Sequence, residues 1–186
     1  MKSKEKGIPL KLPSSESGFS MLEVIIAILT ITAFLTGTLQ LMAVNALYKV
    51  RSERQTKANF WIQEDFENVK AQASNISPPN PNVSPNVCTD RNEGYATALR
   101  RQLTATPLPT PIPTNPQLVG IKTIVAKNYS LFRTFDIINQ AANPHRLRID
   151  YRVEVTDQTP KDYPNQENVI ARSSVEVIPD ASFNCP

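Results

Sequence analysis

Residues 17–47 read SGFSMLEVIIAILTITAFLTGTLQLMAVNAL, and the architecture of the 186-residue chain follows from this stretch. From Val24 to Leu47 the stretch has no charged side chain. These 24 residues exceed the roughly 20 that an α-helix needs to cross a bilayer. Core helices of soluble proteins seldom run this far without a charge, so we predict a membrane-spanning helix rather than a buried core helix.

The segment before this helix is polar and contains the charged residues Lys2, Lys4, Lys6, Lys11, Glu5 and Glu16. An ordinary secretory signal has its small-residue cleavage site after the apolar core. Here the small residue, Gly18, lies before the core, and no A-x-A-like site follows it. Cleavage between Gly18 and Phe19 would remove only the polar leader and leave the whole apolar helix on the mature chain.

Glu23 brings a carboxylate to the edge of the apolar span. An acid costs about 2.5–3.5 kcal/mol at the bilayer centre and less near the interface, so its presence calls for a partner. Cleavage after Gly18 would create one, the α-amino group of Phe19, and no other cation lies between Lys11 and Lys49. The alternative is a solvated acid that the helix dipole stabilises.

Residues 18–24, GFSMLEV, followed by an apolar helix resemble the cleavage and methylation motif of type IV prepilins and type II secretion pseudopilins. The resemblance implies that a prepilin peptidase cuts after Gly18 and N-methylates Phe19. It also implies that Glu23 docks the subunit on the N-terminal amine of a neighbouring pilin in a filament. Residues 59–65 and 176–186 resemble pseudopilins associated with polysaccharide secretion in filamentous cyanobacteria.

Charge does not decide the orientation of the span. Four lysines precede it and four basic residues follow it, Lys49, Arg51, Arg54 and Lys57, so the positive-inside rule gives a tie. The resemblance implies a single pass through the inner membrane with the C-terminal domain extracytoplasmic, and assembly into a periplasmic or surface filament. Many pilins carry a proline partway along this helix, where Gln40 stands here.

After Leu47 the pattern predicts that the helix continues as an amphipathic helix, residues 48–77. Its apolar residues recur every three or four positions, which places them on one face. They are Ala58, Ile62, Phe66, Val69, Ala73 and Ile76, and Trp61 widens this stripe as a core residue without a ligand role. We expect the helix to end near Pro78, because the residue before a proline avoids the α region.

Two proline tracts, residues 77–87 and 104–117, follow the helix and flank a short predicted helix over 93–103. Proline-rich backbone favours an extended conformation without internal hydrogen bonds. We favour a stiff surface connection for these tracts over a docking site for a recognition module.

The C-terminal third predicts an antiparallel sheet. Residues 147–155 alternate strictly between apolar and charged side chains, which is typical of a half-buried strand. Residues 118–126 and 129–138 predict a hairpin, and residues 169–177 predict a further strand broken at Ser173. The predicted fold is α+β and pilin-like, with the helix laid on the sheet. Its parts are a leader (1–18), a transmembrane helix (19–47), an amphipathic helix (48–77), a Pro-rich connection (78–117) and a sheet with a C-terminal tail (118–186).

The chain has two cysteines, Cys88 and Cys185, both in Asn- and Pro-rich surroundings. Such surroundings favour a disulfide over two buried thiols. The bridge would close a loop of about a hundred residues, which the chain-entropy model values at about 4–5 kcal/mol, and it requires an oxidising compartment.

The sequence predicts no enzyme. It lacks a nucleophile elbow, a P-loop, a zinc-protease motif and a dinucleotide-binding turn. His145 is interpreted as a loop residue, and the acids Asp157, Asp162 and Glu167 as a solvated turn, because their spacing matches no defined calcium loop. We therefore expect no cofactor and no metal.

Arginines at positions 146, 148 and 152 and the pair Arg100-Arg101 could contact phosphate groups. Acids lie between the arginines, however, and favour a solvated strand face over phosphate contacts. We therefore expect no nucleic acid partner. The predicted function is that of a minor pilin or pseudopilin in secretion or surface motility. The alternative is a membrane-anchored adhesin or DNA-uptake pilin whose C-terminal domain binds a ligand.

Overall fold

The computed structural model describes residues 18–156 and 168–186 of the chain. Residues 1–17 of the predicted leader and the acids Asp157, Asp162 and Glu167 lie outside the described residues. The helices are α1 (Met21–Ser74) and α2 (Tyr95–Thr104), and the strands are β1 (Gln117–Ile124), β2 (Lys127–Asp136), β3 (Leu147–Val155) and β4 (Val169–Val177). The predicted α+β class is confirmed: a long N-terminal helix accompanies a four-stranded antiparallel sheet in a pilin-like layout.

The chain divides into two compact units, Met1–Leu47 and Tyr48–Pro186. In the second unit, α1 buries one face against the sheet, and the buried residues are Ala58, Trp61, Ile62, Asp65, Val69 and Ala73. All but Asp65 belong to the predicted stripe. The helix ends at Ser74, a few residues before the predicted end, because Asn75 turns the chain there: its amide nitrogen Nδ2 donates to the Ala71 carbonyl at 2.8 Å.

The four strands form one antiparallel sheet in the order β1-β2-β3-β4. The predicted hairpin is confirmed as β1 and β2. The strict alternation in β3 is confirmed as well, since Leu147, Ile149, Tyr151 and Val153 are at most 2% exposed. The apolar face of the sheet and the buried face of α1 therefore share one hydrophobic core.

The predicted break at Ser173 is wrong, because β4 runs without interruption from Val169 to Val177. The irregularity lies instead near Ile170, where the pairing with β3 shifts by one residue. Ser173 itself pairs directly with Tyr151. A serine at an inward-facing position of the alternating pattern therefore continues the strand here.

Ser173 is the last member of a polar row that crosses all four strands. Gln117 pairs with Arg133, Arg133 with Tyr151, and Tyr151 with Ser173. Directly paired residues in an antiparallel sheet project from the same face. The row therefore lies on the face that α1 covers, since Arg133 contacts Asp65 of that helix.

Asp65 and Arg133 form a buried ion pair between α1 and β2. Arg133 Nη1 lies 3.2 Å from Asp65 Oδ2, and each side chain is only 10% exposed. The other guanidinium nitrogens also find acceptors: Nε donates to Gln117 Oε1 at 2.7 Å and Nη2 to the Leu103 carbonyl at 3.2 Å. Burial, with the neighbouring Asp65 carboxylate, raises the pKa of the Tyr151 hydroxyl above its ordinary value. One arginine thus connects both helices and two strands.

The hairpin between β1 and β2 turns through Val125 and Ala126, which both have left-handed backbone, at φ 45° and 61°. The sequence predicted a strand through residue 126. A two-residue turn with positive φ at both positions matches the right-handed twist of the flanking strands, although it is costly for a β-branched residue. Arg54 Nη2 donates to the Val125 carbonyl at 3.1 Å and so stabilises this turn from α1.

Helix α2, predicted over 93–103, begins in close contact with the loop before β3. A Cβ on Gly94 would lie 2.1 Å from the Pro144 carbonyl oxygen, so only glycine fits. The backbone N–H of Tyr95 donates to His145 Nδ1 at 3.3 Å, and that of Ala96 donates to the Pro144 carbonyl. His145 therefore caps the first turn of α2.

Removing Asp65 should destabilise the second unit far more than removing its neighbour Glu64. Asp65→Ala leaves the Arg133 guanidinium buried without its charge partner, so we expect a loss of about 3–5 kcal/mol in the free energy of unfolding. Glu64→Ala breaks an exposed pair with Lys122, for which we expect less than about 1 kcal/mol.

The measurement is urea unfolding of the full chain in neutral detergent, followed by fluorescence of Trp61, the only tryptophan. Trp61 is 6% exposed in the shared core, so its emission reports on the second unit. Equal losses for the two variants would contradict a central role for the buried pair.

Candidate functional site

The predicted cleavage site, Gly18-Phe19, lies just outside α1, which begins at Met21. Nothing approaches within 4 Å of a Cβ built on Gly18, and Phe19 is 82% exposed. The Ser20 carbonyl accepts the first helical hydrogen bonds, from the backbone N–H groups of Glu23 at 2.9 Å and Val24 at 3.3 Å. The bond to be cut therefore lies in accessible, non-helical backbone, although cleavage there stays a prediction.

Glu23 lies in the first turn of α1, where the unpaired N–H groups of the helix favour a negative charge. It forms no ion pair with any residue of 18–156 or 168–186. An amine supplied by another chain would therefore meet an available carboxylate. Both roles predicted for Glu23, docking and dipole stabilisation, are consistent with this position.

The apolar part of α1 keeps its few hydroxyl groups satisfied within the helix. Thr30, Thr32, Thr36 and Thr38 each donate to a backbone carbonyl three or four residues earlier, at 2.7–3.0 Å. In hydrocarbon, an unsatisfied polar group costs several kcal/mol, so this pairing removes the main penalty for these threonines. Within the described residues, α1 is the one helix long and apolar enough to span a membrane.

The predicted disulfide is confirmed: Cys88 and Cys185 are bonded, with their Cα atoms 5.3 Å apart. Their separation along the chain is 97 residues. Cys185 packs against the hydrophobic core at its partly buried position. The bridge therefore ties the C-terminal tail to the segment that follows α1.

The exposed arginines of β3 and its preceding loop are paired with acids, as predicted for a solvated strand face. Arg146 pairs with Glu176, Arg148 with Asp136 and Asp150, and Arg152 with Glu154. Their charges are therefore compensated within the second unit.

The prediction of solvent-facing side chains is wrong for Arg100 and Arg101, which are 8% and 5% exposed. Arg100 donates to the Pro113 carbonyl at 2.7 Å, and Arg101 donates to the Thr110 carbonyl at 2.6 Å and pairs with Glu93. Burial lowers the pKa of Arg100. These two side chains hold the second proline tract against α2 rather than facing solvent.

Sequence reasoning missed the contact between Asp65 and Arg133. Asp65 follows two buried residues in the helix stripe, and Arg133 stands between the buried residues Leu131 and Phe135 in β2. The only signal was that each charge interrupts an apolar pattern. Two such interruptions of opposite sign, on elements predicted to pack together, would have indicated the pair.

No family model, curated protein or solved structure matches the chain. The long helix α1 begins with an apolar stretch, and its second part packs on a small antiparallel sheet. This layout is compatible with a pilin-like fold.

Loss of the disulfide should destabilise the second unit without affecting the N-terminal segment. For Cys88→Ser combined with Cys185→Ser we expect the free energy of unfolding to fall by about 4–5 kcal/mol, because the unfolded chain regains the freedom of the loop. Cleavage after Gly18 should be unchanged.

Urea unfolding with and without a reductant measures this effect, and the double variant, which has no thiols, should not respond to the reductant. Mass spectrometry of the non-reduced exported protein provides an independent check. Finding both thiols free and alkylatable would refute the bridge.

Proposed function

We propose that this protein is a minor pilin or pseudopilin, a structural subunit of a type IV pilus-like or type II secretion-like filament. The observation that carries the proposal is the arrangement at the start of α1. An accessible Gly18-Phe19 bond precedes the helix, and an unpaired Glu23 lies in its first turn. An uncharged membrane-length stretch follows immediately.

The proposed life cycle has two stages. A prepilin peptidase cuts after Gly18 and methylates Phe19 while the apolar helix anchors the subunit in the inner membrane. The second unit then lies on the extracytoplasmic side, where an oxidising environment favours the bond between Cys88 and Cys185. The proposed role of the filament is secretion, with polysaccharide as the candidate cargo, or surface motility.

Glu23 is the proposed assembly contact. When subunits pack side by side, the first turn of one helix enters the apolar environment of its neighbours, and a lone carboxylate there is costly. The amine of a neighbouring Phe19 would neutralise it. The same pair would set the axial position of each incoming subunit, because only one register brings the amine to the carboxylate.

The contacts of Arg100, Arg101 and the arginines of β3, which the sequence offers as candidate phosphate contacts, support a structural subunit over a DNA-uptake pilin that binds DNA through these residues. Arg100 and Arg101 are buried against the proline tract, and the arginines of β3 are paired with acids. Phosphate contacts in nucleic acid recognition require basic side chains that are free to approach the backbone.

Replacing Gly18 with valine should block processing. We expect Gly18→Val to accumulate as precursor in the membrane, because a peptidase that reads a small residue before the cut cannot accept the larger side chain. Gly37→Val is the matched control: no described residue beyond the local backbone lies within 4 Å of a Cβ at either glycine, so both variants are expected to fold.

Intact mass of the membrane fraction measures the outcome. The wild type and Gly37→Val should both yield a chain that starts at N-methylated Phe19. A mature start at any other residue, or an uncut wild-type chain beside an active peptidase, would refute the assignment.

Replacing Glu23 with valine should abolish assembly but not insertion or cleavage. The substitution leaves the amine of a neighbouring Phe19 unpaired in an apolar stack, and breaking one side of a buried pair costs about 3–5 kcal/mol. Gln40→Val is the control, since it also replaces a polar residue of the apolar stretch by valine.

The readout is co-purification of each variant with sheared filaments or cross-linked partner pilins. The control should be incorporated like the wild type. If Glu23→Val is also incorporated at wild-type level, Glu23 is not an assembly contact and the dipole role accounts for it.

A further inference from the structure

The second unit contains a cavity of about 170 Å³ with a basic lining. Arg51, Arg54 and Gln55 of α1 line it, together with Tyr129 of β2 and residues 169–172 of β4, which include Arg172. None of these described lining residues is acidic. Among the described residues, the cavity therefore places Arg51 and Arg54 in a lining that has no acidic side chain.

The hydrogen-bond donors of this lining are incompletely satisfied. Arg54 Nη2 donates to the Val125 carbonyl, whereas Arg54 Nε is buried and has no acceptor in the described part of the chain. Arg51 forms no ion pair with any described residue. A buried N–H without an acceptor is costly, and an anion with several oxygens is the ligand that best satisfies guanidinium groups.

The position of the arginines in the chain indicates which anion they meet. The uncharged stretch ends at Leu47. Arg51 lies four residues after Leu47, and Arg54 lies seven residues after it. In a helix these steps advance about 6 Å and about 10 Å. The polar layer on each side of the hydrocarbon is about 5–8 Å thick, so Arg51 begins within it and Arg54 begins about 2 Å beyond it. Because helical side chains tilt toward the helix N-terminus, the Arg54 side chain is directed back toward the lipid phosphates.

The residues between Leu47 and Arg51 fit the same depth. Tyr48 is 67% exposed, and Lys49 follows it. Tyrosine is enriched at the membrane–water interface. The cavity thus adjoins a stretch with the composition of an interfacial segment.

We propose that Arg51 and Arg54 bind the phosphate group of a membrane lipid in this cavity. The bound lipid would fix the second unit against the membrane surface while the subunit awaits assembly, and the subunit would release it on leaving the membrane. This inference rests on the proposed membrane anchoring and is independent of cleavage and of Glu23.

The test is native mass spectrometry of the full chain in neutral detergent micelles that contain a few molecules of phosphatidylglycerol. We expect Arg51→Gln combined with Arg54→Gln to weaken lipid binding about tenfold or more, the loss expected for a charge-assisted hydrogen bond. Lys49→Gln removes a charge from the same helix turn outside the cavity lining, and its Kd should stay within about twofold of wild type in a neutral micelle.

Arg51→Gln alone guards against a folding artefact, because Arg51, unlike Arg54, makes no side-chain hydrogen bond to a described residue. It should weaken lipid binding while the Trp61 unfolding midpoint stays unchanged. Equal effects of Lys49→Gln and Arg51→Gln would overturn the cavity as the site.

Soluble glycerol phosphate distinguishes a lipid from a free phosphate. It should bind much more weakly than phosphatidylglycerol, because it lacks the acyl chains that hold the lipid in the micelle. Equal affinity would overturn the lipid as the occupant. Because the purified chain is tested without filaments, a failure here leaves the Glu23 assembly result unaffected, and the reverse also holds.

Discussion

The buried ion pair between Asp65 and Arg133 is the contact on which the second unit most depends. Two charges in an apolar core are tolerated only when their geometry and remaining hydrogen bonds are nearly complete. Arg133 meets this requirement by reaching Asp65, Gln117 and the Leu103 carbonyl at the same time. Only one placement of helix, strand and connection satisfies all of these acceptors, so the pair specifies how α1 lies on the sheet.

The same chemistry organises the proline-rich connection. Proline has no N–H, so a proline tract presents carbonyl groups without matching donors of its own. Arg100 and Arg101 supply those donors to carbonyls at residues 110–113, and Glu93 balances one of the charges. A tract that the sequence predicts as a surface spacer is thereby packed against α2, and Arg100 also lies over the Phe135 ring.

The sequence predicted the elements that follow from a regular apolar period. The stripe on α1, the alternation in β3 and the hairpin of β1 with β2 all depend on burial of one face, which residue order alone encodes. Prediction from the sequence failed where a polar residue has a partner far along the chain. The pattern predicts a break at Ser173, but Ser173 continues the row with Tyr151. It also predicts solvated side chains for Arg100 and Arg101, but their acceptors lie nine to thirteen residues away along the chain. The motif around Gly18 and Glu23 could be recognised from the sequence because its residues are neighbours in the chain. The arginine cavity could not, because it joins α1 to strands more than seventy residues away.

The bond between Cys88 and Cys185 also limits how far this protein stretches under load. In the proposed filament, a pull between the start of the second unit and the C-terminus would pass along the backbone through the disulfide and bypass the strands of the sheet. About forty residues precede Cys88 in that unit, so full extension yields roughly 140 Å at about 3.5 Å per residue. Without the bridge the same unit would extend to roughly 480 Å. The covalent loop keeps α2 and all four strands out of the covalent path of the pull, so the sheet is loaded only through its contacts with α1 until the bond is broken.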